Sequence, residues 1–180
     1  MAEHDMAESG KISLEELNVL GQDGFVCRVG PVFEHSPWIA EAAWSKKPFA
    51  DSESLRHALC ETVDNAADAR KLALIRAHPD LAGRAALTGT LTRESAHEQT
   101  AAGLNRLSPE EIILFKERNA AYQEKFGFPF VICARLNKKA AMLQGLELRL
   151  KNSRAVEVET ALAEIFKIAE LRLHDLIGDR

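Results

Sequence analysis

The chain has 180 residues, a formal net charge of -4 and a sequence pI of about 5.9. Hydrophobic residues make up 46% and charged residues 28%, which excludes a wholly disordered chain and predicts one globular domain. The acidic balance gives no electrostatic basis for binding nucleic acid or an anionic membrane. The longest apolar run, Phe128 to Ala134, is far shorter than the roughly 20 residues of a membrane-spanning helix.

The N-terminal part of the chain predicts a polar arm followed by a short helix. Residues 1–12 are polar and acidic, unlike a signal peptide, so we expect a disordered arm and one domain over residues 13–178. Ser13 followed by Glu16 is a capping-box pattern, which predicts the start of a short helix. The next stretch, residues 21–37, is rich in turn-forming residues and predicts turns.

Helical patterns then follow one another towards the middle of the chain. Residues 37–44 predict a helix that is closed off by Pro48. Asp51 or Ser52 caps the next helix. A further helix must end before Pro79, because the proline ring excludes the helical conformation at the preceding residue.

The second half of the chain contains the longest helical patterns. Residues 108–111 combine a serine N-cap, a proline at the first helical position and an acidic third residue, so they predict a helix start. That helix stops at Gly127, a left-handed C-cap, and two more helices are predicted over about 138–151 and 154–177. We therefore predict an all-α fold, a single compact multi-helix domain with one extended apolar segment near 128–134.

His78 is the first polar residue in a position that the fold does not require. It lies between a helix end and Pro79, so the turn holds its imidazole rigidly. An imidazole with an ordinary pKa near 6.5 suits proton transfer at neutral pH. The alternative is a surface histidine whose ring hydrogen-bonds to a carbonyl at the end of the helix.

A second polar group lies in residues 95–99. If this stretch is helical, Ser95, Glu98 and Gln99 share one face, and together they could recognise a small polar ligand. The alternative is a capping box formed by Ser95 and Glu98, which leaves Gln99 unexplained.

Arg172 lies at the edge of the apolar stripe of the last predicted helix. Its side chain either extends outwards to solvent along its aliphatic stem or points inwards to an anion.

The apolar segment at Phe130 to Ala134 is the one candidate strand in the chain. Extended backbone in a helical protein leaves N–H and C=O groups that need partners, and a bound ligand could supply some of them. The alternative is a buried connector that pairs with a neighbouring loop.

The common cofactor and metal signatures are not present in the sequence. It contains no glycine-rich nucleotide motif, and His97 and Glu98 are adjacent, so they point to different helix faces. The cysteines are odd in number and far apart, which favours a reducing compartment over a disulfide framework. We expect a cytoplasmic protein that uses no metal or cofactor.

Five segments, in this order, resemble the 2-oxo-4-hydroxy-4-carboxy-5-ureidoimidazoline (OHCU) decarboxylases. They are FEHSPWIA at 33–40, RAHPDLAG at 76–83, SAHEQ at 95–99, YQEKFGFPF at 122–130 and KIAELRL at 167–173. The resemblance implies an all-α, cofactor-independent and dimeric enzyme of urate degradation that releases carbon dioxide to give (S)-allantoin. It implies that His78 is the catalytic acid and base, that Glu98 is a second catalytic group, and that Arg172 binds or polarises the anionic substrate.

The same resemblance implies a set of residues that contact the ureidoimidazoline substrate. Pro79 would line the pocket, and the 95–99 and 130–134 segments would hold the polar groups of the substrate. These residues are Pro79, Ser95, Ala96, His97, Glu98, Gln99, Phe130, Val131, Ile132, Cys133 and Ala134.

Two other functions remain open from the sequence. A helical protein-interaction module predicts no concave pocket that joins His78, Glu98 and Arg172. A related lyase for another ureido acid would share the pocket and differ in its substrate.

Overall fold

Residues 10–178, the part of the chain that this computed structural model describes, form ten α-helices. These are α1 Leu14–Val19, α2 Gln22–Val29, α3 Trp38–Trp44, α4 Ser52–Asp64, α5 Asp68–Ala77, α6 Arg84–Thr88, α7 Arg93–Ala101, α8 Pro109–Phe126, α9 Lys139–Arg149 and α10 Arg154–Leu176. Two single 3₁₀ turns are also present: Gly30–Val32 lies between α2 and α3, and Ala134–Leu136 lies between α8 and α9. Over the same residues the only β-type pairing is an isolated bridge between Ile12 and Ile177. The all-α prediction is confirmed, and the 130–134 segment is extended without forming a strand.

The predicted helix caps are present. Ser13, Asp51 and Ser108 each accept a hydrogen bond from the backbone N–H three residues later, and the third residue of each helix bonds back to form a capping box. α8 ends at Gly127, whose φ of 76° lies in the left-handed region that glycine adopts without strain.

Two short helices were not expected from the sequence. α2 lies in the stretch that predicts turns, because Gly21, Gly24 and Gly30 mask its helical pattern. Phe25 and Val29 are four residues apart and both fully buried, and α2 packs on α3. This packing outweighs the roughly 1 kcal/mol that a mid-helix glycine costs. α6 has only five residues, none of them buried, so the sequence carries no periodic signal for it.

α10 is the longest helix, and its buried face forms one side of the candidate site. It packs on α4, α5 and the Gly30–Val32 turn, with Ile165, Ala169 and Leu173 facing the core. The Ala134–Leu136 turn packs on α7. The end of α5, the middle of α7, the extended segment and the C-terminal half of α10 therefore meet.

The ends of the described chain are paired with each other. The Ile12 N–H donates to the Leu176 carbonyl at 2.9 Å, and the Gly178 N–H donates to the Ile12 carbonyl at 3.0 Å. Ile12 belongs to the predicted arm, so the pairing includes the last part of that segment; residues 1–9 lie outside the described residues. Within residues 10–178, no helix combines the length and the apolar character needed to cross a bilayer.

Candidate active site

A small cavity lies where these four elements meet. It is lined by His78, Pro79 and Leu81 after α5, by Ser95, Glu98 and Gln99 of α7, by Phe130, Val131, Ile132 and Ala134 of the extended segment, and by Ile168 and Arg172 of α10. A wider, more open cleft shares His78 and Pro79 with it and leads to solvent. The cavity thus combines apolar walls with a few convergent polar groups, as small-molecule sites commonly do.

His78 is held in one orientation by the end of α5. It is the C-cap residue, and Pro79 keeps its backbone extended, with ψ at 138°. Its ring Nδ1 lies 3.0 Å from the Leu74 carbonyl oxygen. A carbonyl can only accept, so Nδ1 carries the proton of the neutral ring and Nε2 keeps a lone pair. No group in residues 10–178 takes a hydrogen bond with Nε2, which leaves this nitrogen for a ligand.

Burial makes the His78 imidazole a neutral group at physiological pH. The side chain is 7% exposed, and burial lowers its pKa from 6.5 to about 4. The Leu74 carbonyl and the Glu34 carboxylate offset part of this fall, whereas the Arg172 charge adds to it. His78 therefore presents a neutral ring with an unprotonated Nε2 to a bound ligand.

The predicted polar face of α7 points into the core. Thr92 is the N-cap of α7 and accepts from the Ser95 N–H at 3.2 Å, so the alternative in which Ser95 caps a helix is wrong. Ser95, Glu98 and Gln99 are all buried. They form one face with the spacing that the sequence predicted.

The Gln99 amide fixes the turn that follows His78. Its Oε1 accepts from the Ala82 N–H at 3.1 Å, and its Nε2 donates to the Asp80 carbonyl at 3.3 Å. Ala82 has a φ of 50°, a left-handed conformation that is strained for alanine. Gln99 therefore supports a strained turn beside the cavity in addition to lining it.

Arg172 points inwards and is 6% exposed, so the alternative in which it extends to solvent is wrong. Nε and Nη2 donate to the two oxygens of Glu98, each at 2.8 Å, in a forked ion pair. Nη1 donates to Glu34 Oε2 at 3.0 Å and to the Pro31 carbonyl at 3.2 Å, and Nη2 also donates to Ser95 Oγ at 3.3 Å. A guanidinium has five N–H groups, and each one here has an acceptor within the protein.

Glu34 is a buried carboxylate beside the cavity that the sequence patterns do not reveal. It lies just after the Gly30–Val32 turn and is 2% exposed. Its carboxylate accepts from Thr92 Oγ1 at 2.6 Å and Ser95 Oγ at 3.0 Å, in addition to Arg172. Burial alone would raise the pKa of Glu34, but the Thr92 hydrogen bond and the Arg172 charge lower it below 4.5. Its one sequence signal is its place in the FEHSPWIA segment, between buried Phe33 and buried Ser36.

The extended segment is fixed through some of its peptide groups and leaves others unpaired. Arg149 Nη1 donates to the Val131 carbonyl at 2.7 Å, and Glu164 Oε2 accepts from the Cys133 N–H at 2.8 Å. Within residues 10–178, the N–H groups of Val131 and Ile132 have no acceptor, and both residues line the cavity. These two donors can hold a carbonyl or carboxylate oxygen of a ligand.

Comparison with known proteins decides the family. The family model described as OHCU decarboxylase matches residues 18–174. The chain belongs to the OHCU decarboxylase family. It is 43% identical to the OHCU decarboxylase of Amia calva over 92% of this chain and 95% of the relative. It is 40% identical to that of Halalkalicoccus jeotgali, over 94% of each chain.

Solved structures agree with this assignment. A crystal structure of an OHCU decarboxylase in the presence of (S)-allantoin superposes with a TM-score of 0.67 at 28% identity, covering 88% of this chain and 100% of that chain. A crystal structure of an (S)-allantoin synthase gives a TM-score of 0.75 at 26% identity, covering 93% of this chain and 54% of that chain.

Most of the residues predicted for an OHCU decarboxylase line the cavity described above. They are His78, Pro79, Ser95, Glu98, Gln99, Phe130, Val131, Ile132, Ala134 and Arg172. The structure places the other three predicted residues away from it. His97 is exposed on the opposite face of α7, Ala96 is half-buried beside it, and the buried Cys133 uses its N–H for Glu164. Substrate contact by any of these residues stays a prediction.

Proposed function

We propose that this protein decarboxylates 2-oxo-4-hydroxy-4-carboxy-5-ureidoimidazoline to (S)-allantoin, as a carboxy-lyase of urate degradation that needs no cofactor. One observation carries the proposal. His78, Glu98 and Arg172, separated by 20 and 74 positions in the sequence, line one cavity. A helical interaction module predicts no such pocket, so this observation argues against that alternative.

The chemistry requires the enzyme to orient the substrate and to control protons. The carboxylate leaves as carbon dioxide, and the electron pair of the broken bond passes into the imidazoline ring, so no external electron sink is needed. The hydroxyl on the same carbon loses its proton as that carbon becomes a carbonyl. A ring carbon and a ring nitrogen are protonated, so the reaction takes up one proton overall.

Each group in the cavity has a role in this scheme. His78 Nε2 takes or returns a proton, because the neutral ring has its lone pair on that atom. Glu98 orients the substrate hydroxyl or the imidazole. A free N–H of the extended segment, at Val131 or Ile132, holds a substrate carbonyl, where an oriented donor stabilises developing negative charge. A proton delivered from one side of the cavity gives one enantiomer.

Arg172 lines the cavity, but its donors are already in use. To bind the substrate carboxylate directly, Arg172 must release one of its present acceptors within the protein and donate to the substrate instead. The contact with Ser95 Oγ, the longest at 3.3 Å, is the first candidate. Otherwise Arg172 acts by fixing Glu98 through the forked ion pair.

The test is stereochemical. Freshly generated OHCU is added to the protein, and allantoin is followed by circular dichroism. We expect rapid formation of the (S) enantiomer, whereas the uncatalysed reaction gives a racemate. Racemic product at the uncatalysed rate would overturn the proposal. Turnover of a different ureido acid in a substrate screen would favour the related lyase instead.

We also propose that the protein is a cytoplasmic homodimer. Several large apolar side chains are exposed on the described chain, among them Ile113, Leu136 and Leu148. Light scattering at micromolar concentration should give twice the chain mass of 19.9 kDa. A value equal to the chain mass would contradict the dimer.

A further inference from the structure

The charged cluster beside the cavity contains one more carboxylate than a simple ion pair needs. Arg172 contributes one positive charge, and Glu34 and Glu98 contribute two negative charges. The two carboxylates differ in position. The Glu98 side chain is 11% exposed and lines the cavity, whereas the Glu34 side chain is 1% exposed and does not. Glu34 therefore lies behind the arginine, out of reach of a ligand.

We infer that Glu34 is a positioning residue of the active site, which holds Arg172 and Ser95 so that Glu98 keeps its orientation towards the cavity. This inference rests on the proposed function. No substrate contact is needed for the role, because Glu34 acts through the groups that it binds.

The hydrogen bonds of Glu34 support this role. Its Oε2 accepts from both Arg172 Nη1 and Ser95 Oγ, each at 3.0 Å. Ser95 Oγ in turn accepts from Arg172 Nη2, which closes a ring of three side chains. With Nη1 fixed in this way, the opposite edge of the guanidinium presents Nε and Nη2 to Glu98 in one plane.

A purely structural role would not require a charge here. Removing a carboxylate from water is costly, and a buried ion pair is often no more stabilising than a well-packed apolar group of similar volume. The turn is already anchored by Val32 and Phe33, which are both buried. His35, the next residue, has a φ of 44°, a strained conformation of the kind that is concentrated at functional sites.

Glu34 also acts on the charge of His78. Among the described residues, the other charged or titratable groups near the imidazole are Arg172 of α10, Glu98 of α7 and His35 of the adjoining turn. Arg76, Asp80 and Arg84 line the neighbouring cleft that His78 shares. Glu34 raises the pKa of His78, whereas Arg172 and His35 lower it. Without the Glu34 charge, the pKa of His78 falls further below its value of about 4.

The variant Glu34→Gln removes the charge and keeps an amide of the same size. We expect kcat to fall on the order of 10- to 100-fold with KM changed less than about threefold, because orientation is lost in the transition state. The His78 titration, followed by NMR, should move to lower pH, because the Glu34 charge that raises its pKa is removed. Glu34→Asp keeps the charge and shortens the reach, so it should lower kcat and leave the titration in place.

Glu157→Gln is the matched control, because Glu157 is another buried carboxylate paired with an arginine. It should lower the melting temperature and leave the His78 titration where it is. A Glu34→Gln variant with kcat within twofold of wild type would overturn the inference, whether or not the titration moves. If that variant does not fold, a wild-type kcat for Glu34→Asp would overturn it. The titration needs no substrate, so an unmoved His78 titration in Glu34→Gln would also count against the inference even if the wild type proves inactive on OHCU.

Discussion

Two buried arginine–carboxylate clusters lie on α10 and its neighbours, and they differ in charge and in access. In the first, Arg172 pairs with Glu34 and Glu98 at the wall of the cavity. In the second, Arg149 Nε donates to Glu157 Oε2 at 2.9 Å. Glu157 and Arg172 are 15 positions apart on α10, about 22 Å along the helix.

In the second cluster, one arginine balances one glutamate, and the carboxylate has no contact with solvent. Besides Arg149, Glu157 accepts from the Tyr122 hydroxyl and from Asn152 Nδ2, and it is fully buried. Burial and this carboxylate raise the pKa of the Tyr122 hydroxyl above its usual value of 10. The Arg149 guanidinium lies 4.4 Å over the Phe130 ring and fixes the Val131 carbonyl. This cluster holds the extended segment in place.

The first cluster has a surplus negative charge and an opening to the cavity. Stability does not explain the surplus, because a buried unbalanced charge is costly. From this comparison we infer that the cluster with unbalanced charge beside the cavity serves function, and that the balanced cluster serves structure. The predictions below test this division.

The largest effect is expected from His78→Ala, which removes the imidazole that the charged cluster surrounds. Turnover should fall by about 10²–10⁴-fold, the usual contribution of a general acid or base. The helical circular dichroism signal should not change, because no helix depends on this ring. Steady-state kinetics and far-ultraviolet spectra check both points. Activity within threefold of wild type would remove His78 from the mechanism.

Arg172→Lys and Arg149→Lys compare the two clusters directly. Lysine cannot reproduce the forked contact with Glu98, so Arg172→Lys should cost on the order of 2–3 kcal/mol, roughly 30- to 150-fold in kcat/KM. Arg149→Lys should lower kcat/KM much less. Both variants should lose thermal stability, since each arginine is paired with a buried carboxylate. Equal losses of kcat/KM would show that the division into functional and structural clusters is wrong.

The free energy of unfolding should depend on pH in a way that reflects the buried imidazole of His78. The pKa of His78 is about 4 in the folded protein and about 6.5 when unfolded, so the unfolded chain binds more protons between these values. The stability that the neutral His78 ring provides is fully present above about pH 6.5. As the pH falls towards 4, the free energy of unfolding decreases by on the order of 3 kcal/mol. Urea unfolding of the wild type and of His78→Gln across this range measures it. Parallel pH curves for the two proteins would contradict a neutral buried His78.

The smallest expected effect is that of a chelator. Residues 10–178 contain no cluster of three or more histidine, cysteine, aspartate or glutamate residues that could hold a metal ion. We expect turnover to be unchanged in EDTA. Loss of activity that added zinc restores would contradict the cofactor-independent proposal.

The parts of the fold with local signals could be predicted from the sequence. α8 has a serine cap, a proline start and a glycine stop, so its two ends are coded in its own residues. α2 has a glycine in its interior and forms because it packs on α3 and buries Phe25 and Val29. A contact between two helices cannot be predicted from the pattern of neighbouring residues in the sequence.

The same distinction applies to the site. His78 and Gln99 could be selected because a helix end and a helical face make them unusual locally. Glu34 could not, because its charged partner lies 138 positions away and a glutamate in a turn is normally exposed. His97 falls within a motif of the family, yet its place on α7 turns its side chain to solvent.

A crystal structure with (S)-allantoin would test the central claim most directly, that the cavity at the unbalanced cluster is the active site. We predict that the product lies within hydrogen-bond distance of His78 Nε2, Glu98 and the Ile132 N–H, with the Arg149–Glu157 pair unchanged. Product bound outside this cavity, with His78 and Glu98 untouched, would contradict the account.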